Sequence, residues 1–218
     1  MSEVNTVWIT PNADQKIGYM ARVSNPGASP DDDASKLIAY LIRHKHWSPF
    51  DMANLCLEIV TERDVSRQII RHSSFKFQEF SQRYAAVDSL PRVKNRAARM
   101  QDHKNRQKST PCRDPDVAAW WDKEQNRVRA AADAVYAEAL EMGIAKEVAR
   151  SILPEGLTPT KMYVNGTIRS WLHFCDLRRG NGTQKETMEV ADKCYAILKD
   201  SLPDTMAAWE SINGPPVP

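Results

Sequence analysis

From Gln68 to Tyr84 the chain reads Q-I-I-R-H-S-S-F-K-F-Q-E-F-S-Q-R-Y, with cationic, amide and hydroxyl side chains set between bulky apolar ones. Ile69, Ile70, Phe75, Phe77 and Phe80 can anchor this stretch in a core, which would hold the polar groups between them stiffly. Fixed donors of this kind suit an anionic ligand, because Arg71 and Arg83 each offer a planar fork to a phosphate. Arg, Glu and Ser in a half-buried segment also often satisfy only one another, so residue types alone leave a ligand site and a self-contained network both open.

The rest of the chain bounds that choice. At 218 residues it has room for one large domain or two small ones, with a substantial core in either case. It has 42% hydrophobic and 27% charged residues, the composition of a globular protein. A net charge of +2 is too small to argue for nucleic acid. Cys56, Cys112, Cys175 and Cys194 are far apart and form no C-x-x-C, so neither a zinc knuckle nor a disulfide framework is indicated. No leader and no apolar run of membrane-spanning length is visible, and a cytoplasmic protein with reduced thiols is expected.

In chain order, Val4 to Thr10 is β-rich and stopped by Pro11, which predicts an opening strand. Asp14 is placed to cap a first helix through Ile17 and Ala21, and Asp31 to Asp33 stand at the start of a second one bearing Leu37, Ile38, Leu41 and Ile42. No glycine or distal glutamate completes a calcium loop there, and His44 and His46 lack the further ligands zinc would need, so no metal is expected. Met52 to Val60 predicts a strand, and Glu62 to Ile70 a helix that delivers Arg71 and His72 into the opening stretch. Residues 90–115 carry eight Lys or Arg against two Asp and read as a basic loop or insertion, with a basic lid over an anionic ligand as the functional alternative.

The spacing of Trp121, Val128, Ala132, Val135, Ala139 and Met142 predicts a long helix over 116–143, closed by Gly143. A short helix over 145–153 carries Arg150, and Thr160 to Val164 predicts a strand. Asn165-Gly166-Thr167 then reads as a turn into a helix bearing Arg169, His173 and Arg178 near one side. A last helix is expected over 184–202 and a flexible tail over 213–218. Without a repeat or a linker, the chain predicts one α+β domain over 1–218, a mixed or antiparallel sheet flanked by helices.

Arginines near 71–83, at 150 and at 169–178 point to phosphate-bearing small molecules. No G-x-G-x-x-G or G-x-x-x-x-G-K-[ST] supplies a Rossmann or P-loop cradle, and without a G-x-S-x-G elbow Ser81 is a poor candidate for a nucleophile.

The run R-H-S-S-F-K-F-Q-E-F-S-Q-R-Y resembles the signature of flavin-dependent thymidylate synthases, R-H-R, two residues, S, four residues, then S-x-R-Y. Further motifs of that family follow in its order: A-R-V-S at 21–24, H-W-S-P-F at 46–50, R-Q-I-I-R-H at 67–72, A-R-S-I-L-P at 149–154 and R-S-W-L-H-F-C-D-L-R at 169–178. The resemblance implies a homotetramer with active sites between subunits that makes dTMP from dUMP. It implies FAD as hydride donor, methylenetetrahydrofolate as carbon donor and NADPH as reductant. By position it implies that Ser48, Arg71, His72, Ser73, Glu79, Thr167, Ile168, Arg169 and His173 face FAD. It likewise implies that Gln68, Arg71, Glu79, Phe80, Ser81, Gln82, Arg83, Arg150 and Arg178 face dUMP, with Arg178 favouring ionisation of the uracil N3.

The chain departs from the pattern at four positions. Ser73 replaces the second arginine of the signature, Lys76 replaces its serine, and Asp51 and Met52 replace the usual Glu-His after Pro-Phe. These changes keep two alternatives in view. One is a related flavin- and folate-dependent alkylation of dUMP, such as hydroxymethylation. The other, of a different class, is a non-catalytic nucleotide- or nucleic-acid-binding module.

Overall fold

The two most buried strands take the centre of the main sheet. They are β2 (Asn54–Glu62) and β6 (Pro159–Thr167); β1 (Glu3–Ile9) and β3 (Lys76–Glu79) are the edges, in the order β1-β2-β6-β3. Every pairing is antiparallel, so the sheet is antiparallel rather than mixed. The computed structural model describes residues 2–180 and 182–214.

β6 runs past the expected turn. Leu55 pairs with Gly166 and Asn54 with Thr167, so Asn165 to Thr167 are strand. The glycine serves packing: a Cβ at Gly166 would lie 2.2 Å from Cδ1 of Phe75, whose buried ring crosses it. Phe75 in turn stacks on Trp171, with ring centroids 4.4 Å apart. The opening stretch is therefore pinned to the sheet through its aromatic residues, as its apolar spacing predicts.

The helices are α1 (Ala13–Ala21), α2 (Ser35–Arg43), α3 (Arg63–Ile70), α4 (Pro115–Glu141), α5 (Lys146–Ala149), α6 (Ile168–Arg178), α7 (Lys185–Ser201) and α8 (Pro203–Asn213). The core lies between the sheet and α1, α2, α3, α6, α7 and α8, around Ile17, Ile38, Leu57, Ile69, Trp171 and Leu198. Inside it the Trp171 indole donates to the carbonyl of Leu55 at 2.9 Å, which locks α6 to β2.

α8 is a helix that the expected end at 202 leaves out. Pro203 looks like a stop, but it sits in the first turn, where its missing N–H costs nothing. Asp14 belongs to the same correction. It does not cap its own helix; it is buried, and it accepts hydrogen bonds from the backbone N–H groups of Asp204 and Thr205 in the first turn of α8. Burial raises the pKa of this carboxyl. Asp32 and Asp33 accept from the backbone N–H groups of Ser29 and Ser35 beside α2.

α4 is capped by Asp114, which accepts from the N–H groups of Asp116 and Val117, and Gly143 follows it at φ +83°. Its apolar stripe does not face the core of this chain: only Gln125 and Tyr136 are buried, while Trp120 is 58% and Met142 71% exposed. Residues 90–115 are not all loop either, because β4 (Arg99–Gln101) and β5 (Ser109–Pro111) form a hairpin. Asn213 ends α8, and residues 215–218 of the expected tail lie outside the described residues. No described helix is long and apolar enough to cross a membrane.

Candidate active site

α3 ends at Ile70 and the chain leaves it through Arg71 and His72, while the last turn of α6 brings up Arg178. The Arg178 Nε donates to His72 Nε2 at 2.8 Å, and one Nη2 hydrogen goes to the carbonyl of Gln68 at 3.1 Å. An imidazole that accepts at Nε2 is neutral, with its proton on Nδ1. Burial, with the charges of Arg178 and Arg71, pushes the His72 pKa down to about 4 and so keeps it in that form. Arg178 is also held below its usual pKa by burial and by Arg71. The remaining Arg178 donors and the exposed guanidinium of Arg71 have no hydrogen-bond acceptor among the described residues. This corner therefore holds two adjacent cations and no carboxylate, an environment built for an anion or a group that becomes one.

The Gln68 side chain points into a network that sequence reasoning missed. Its Nε2 donates to Gln184 Oε1 at 2.6 Å, and the Gln184 Nε2 donates to Glu186 Oε2 at 2.9 Å. Arg99 closes two hydrogen bonds on Glu186 at 2.6 and 2.9 Å, and Arg96 closes two on Asp64 at 2.7 and 2.6 Å. Burial works to raise the Glu186 carboxyl, but hydrogen bonds from Arg99 and Gln184 outweigh it and hold the pKa down to about 2. The basic segment is thus clasped to α3 and α7, beneath Gln68. Gln184 and Glu186 carry no local signal in sequence, because beyond their bond to each other their partners, Gln68 and Arg99, lie 116 and 87 residues away.

At the other end of α6, Thr167 caps the helix by accepting from the Ser170 N–H and donates to Asp51 Oδ1 at 2.9 Å. Arg169 pairs with the other Asp51 oxygen at 3.0 Å. Asp51, a departure from the usual pattern, is therefore the anchor of this helix start, next to Ser48 in the short turn Ser48–Asp51. His173 packs edge-on against Trp47, and burial followed by Arg169 lowers its pKa. Ile168 is seated in the core, and its N–H donates to Ala53. Ser73 and Lys76 are exposed and bond to no described side chain.

Around β3 the picture differs. Glu79 Oε1 accepts from Ser66 at 2.9 Å and Thr160 at 3.0 Å, and Oε2 accepts from Arg67 at 3.1 Å. Phe80 uses its N–H on Lys161. Gln82 is buried with its Nε2 unpartnered, an orphaned donor on the predicted substrate segment. Ser81 turns its Oγ to the Arg83 N–H, and the exposed Arg83 meets Glu147 at 3.2 Å. Arg150 is half-buried beside Arg63 and forms no side-chain hydrogen bond among the described residues. The structure thus gathers the predicted residues into three groups: the Arg71, His72 and Arg178 corner, the start of α6, and the surroundings of Glu79. No group of three potential metal ligands occurs among the described residues.

Known proteins can now be set beside this geometry. The sequence profile of the family described as thymidylate synthase complementing protein matches residues 6–204. The chain belongs to this family. Among its relatives is a protein of Paramecium bursaria Chlorella virus 1 described as a probable flavin-dependent thymidylate synthase, 48% identical over 91% of both chains. A flavin-dependent thymidylate synthase of Synechocystis is 42% identical over 89% of this chain and 88% of its own. In fold, the chain resembles the UMP/dUMP methylase PolB from Streptomyces cacaoi, crystallised with 5-Br UMP. The TM-score is 0.85 at 25% identity, over 100% of this chain and 97% of the other. These family relations agree with the resemblance read from the six motifs, and the shared fold agrees with the antiparallel α+β reading.

Proposed function

We propose that the chain is a flavin-dependent thymidylate synthase that reductively methylates dUMP to dTMP. The observation that carries this reading is the pair Arg71 and Arg178, cations without a carboxylate, on motifs of a family whose relatives bear that name. Methylenetetrahydrofolate as carbon donor and NADPH as reductant follow from the family resemblance.

The donor set fits a flavin. Arg71 has unfilled hydrogen bonds, Arg169 is half-exposed at a helix start, and Trp47 and His173 offer aromatic surface beside it. Phosphate and ring would find cation, hydroxyl and aromatic partners there. When bound, the reduced cofactor supplies the hydride that turns the transferred carbon into a methyl group.

The chain's own part is binding and electrostatics. Neutral His72 and the Gln68 carbonyl fix two donors of Arg178 and so aim the rest of its fork. A uracil ring placed against that fork gains stabilisation as negative charge develops at N3 and the carbonyl oxygens, and no reorganisation is needed at the moment of reaction. Arg178 is the catalytic residue in this reading. His72 holds it, because an imidazolium there would repel it and could not accept its hydrogen bond. Ser48, Ser73, Thr167, Arg169 and His173 are assigned to the flavin. Gln68, the run from Glu79 to Arg83 and Arg150 are assigned to dUMP. Glu79 does this by setting the backbone of the run rather than by contact, since its oxygens are already filled.

A homotetramer is part of the same reading. The exposed stripe on α4, with Trp120, Trp121, Val128, Val135 and Met142, supports it as surface for neighbouring subunits. Light scattering should give four chains per particle.

The test is spectroscopic. The purified protein should be yellow, its flavin absorption should bleach anaerobically with NADPH, and colour should return when dUMP and methylenetetrahydrofolate are added together. A protein that binds no flavin at micromolar concentration would overturn the reading and favour a non-catalytic nucleotide-binding module.

A further inference from the structure

Gln184 stands just before α7, and none of the motifs above includes it. Its Nε2 donates to Glu186 Oε2 at 2.9 Å and to Asp64 Oδ2 at 3.5 Å, so both of its hydrogens are directed at carboxylates. Arg99 and Arg96 each close two hydrogen bonds on those carboxylates. Carboxylates paired in this way only accept, and an amide turned over between them would set its oxygen against two anions. The orientation of Gln184 is therefore imposed by its surroundings.

Its Oε1 needs a donor in turn, and Gln68 Nε2 supplies one at 2.6 Å. Reversing the Gln68 amide would bring two carbonyl oxygens together, so Gln68 is fixed as well. The consequence falls on the other atom of the same amide. Gln68 Oε1 accepts from nothing among the described residues, and it belongs to a half-buried residue whose backbone carbonyl accepts from Arg178. Two ion pairs thus hold an acceptor ready at the cationic corner. Near neutral pH, where the phosphate is a dianion, dUMP carries two donors, the imide N3–H and the sugar 3′-hydroxyl. Arg178 favours loss of the N3 proton, and a carbonyl oxygen aimed at N3 would oppose the charge that develops there. The 3′-hydroxyl remains a donor throughout the reaction and is the matching partner.

We propose that Gln184 is a positioning residue for the nucleotide: it fixes the Gln68 amide so that Oε1 meets the 3′-hydroxyl, and it does so without touching substrate. This rests on the dUMP reading above. A loosened clasp between α3 and α7 would weaken every nucleotide alike. A freed Gln68 loses only the preference for a 3′-hydroxyl, and the test separates the two.

The experiment is calorimetric titration of the flavin-loaded enzyme with dUMP and, by competition, with 2′,3′-dideoxyuridine 5′-monophosphate, which lacks only the 3′-hydroxyl. The proteins compared are wild type, Gln184→Leu, Gln184→Glu and Gln68→Ala. Wild type should bind dUMP about 10-fold more tightly than the analogue. In Gln184→Leu that preference should fall to less than about 2-fold through loss of dUMP affinity, with affinity for the analogue and flavin content near wild type. Gln184→Glu still offers Gln68 an oxygen and should retain most of the preference, although an added acid beside Glu186 and Asp64 lowers stability. A preference that survives in Gln184→Leu would overturn the proposal, as would equal weakening of both nucleotides or loss of the preference in Gln184→Glu. Should Gln184→Leu fail to fold, a preference that survives in Gln68→Ala would overturn it. If wild type binds dUMP but shows no preference, this inference alone fails. If wild type does not bind dUMP, the functional reading fails first and takes this inference with it.

Discussion

In the basic segment, Arg96 and Arg99 each close two hydrogen bonds on a carboxylate, at distances between 2.6 and 2.9 Å. At the corner of α3 and α6, Arg71 and Arg178 meet no carboxylate among the described residues, and Arg178 spends its bonds on a neutral imidazole and a carbonyl. The first pair discharges its electrostatics inside the protein and fastens the hairpin of β4 and β5 to α3 and α7. The second keeps its charge available to whatever enters. Surplus arginine is thus two different things in one chain, and the difference lies in the partner, which may stand a hundred residues away.

The sharpest way to break this contrast is to remove one arginine from each region. Arg178→Ala should cut kcat for dTMP formation by about 100- to 1000-fold, the usual cost of losing one preorganised charge donor. Flavin content and the melting temperature should stay near wild type; loss of flavin in step with activity would mean that Arg178 holds the cofactor instead.

Arg99→Ala should do the reverse. It strands the buried Glu186 carboxylate and should cost about 3 kcal/mol in urea unfolding. The sign of its pH dependence is fixed. Glu186 has a folded pKa of about 2, below the usual unfolded value, so its pairing contributes stability above roughly pH 4.5 that is lost as pH falls toward 2. The gap between wild type and Arg99→Ala should therefore be constant from pH 7 to 5 and narrow below that. A gap that persists at pH 2 would show that the clasp is not ionic.

The smallest effect is expected at Asp51. Its pair with Arg169 is well exposed, and Asp51→Asn should change stability by less than about 1 kcal/mol. It should weaken flavin binding more than it weakens folding, because Arg169 loses its carboxylate partner while Asn can still accept from Thr167. An unfolding shift as large as that of Arg99→Ala would place Asp51 with the structural group.

Much of this was legible in sequence, and the misses share a cause. The apolar spacing of the opening stretch and of 168–178 was enough to place Phe75 and α6, because side chains of one element report on that element. Gly166 misled as a turn, since only the ring of Phe75 arriving from another strand explains it. The expected end at 202 left out α8, since only Asp14, capping from a distance, shows that a helix begins there. The period of α4 reported a helix correctly, but not that its apolar side would face away from the core. Motif order brought out the Arg71, His72 and Arg178 corner, whereas Gln184 and Glu186 had no local pattern to betray them.

The central claim is that the unpaired arginines serve reductive methylation of dUMP. It is tested most directly by the mass of the product formed from dUMP, methylenetetrahydrofolate and NADPH by the flavin-loaded enzyme. The account predicts dTMP. A hydroxymethylated nucleotide, or dUMP returned unchanged, would contradict it.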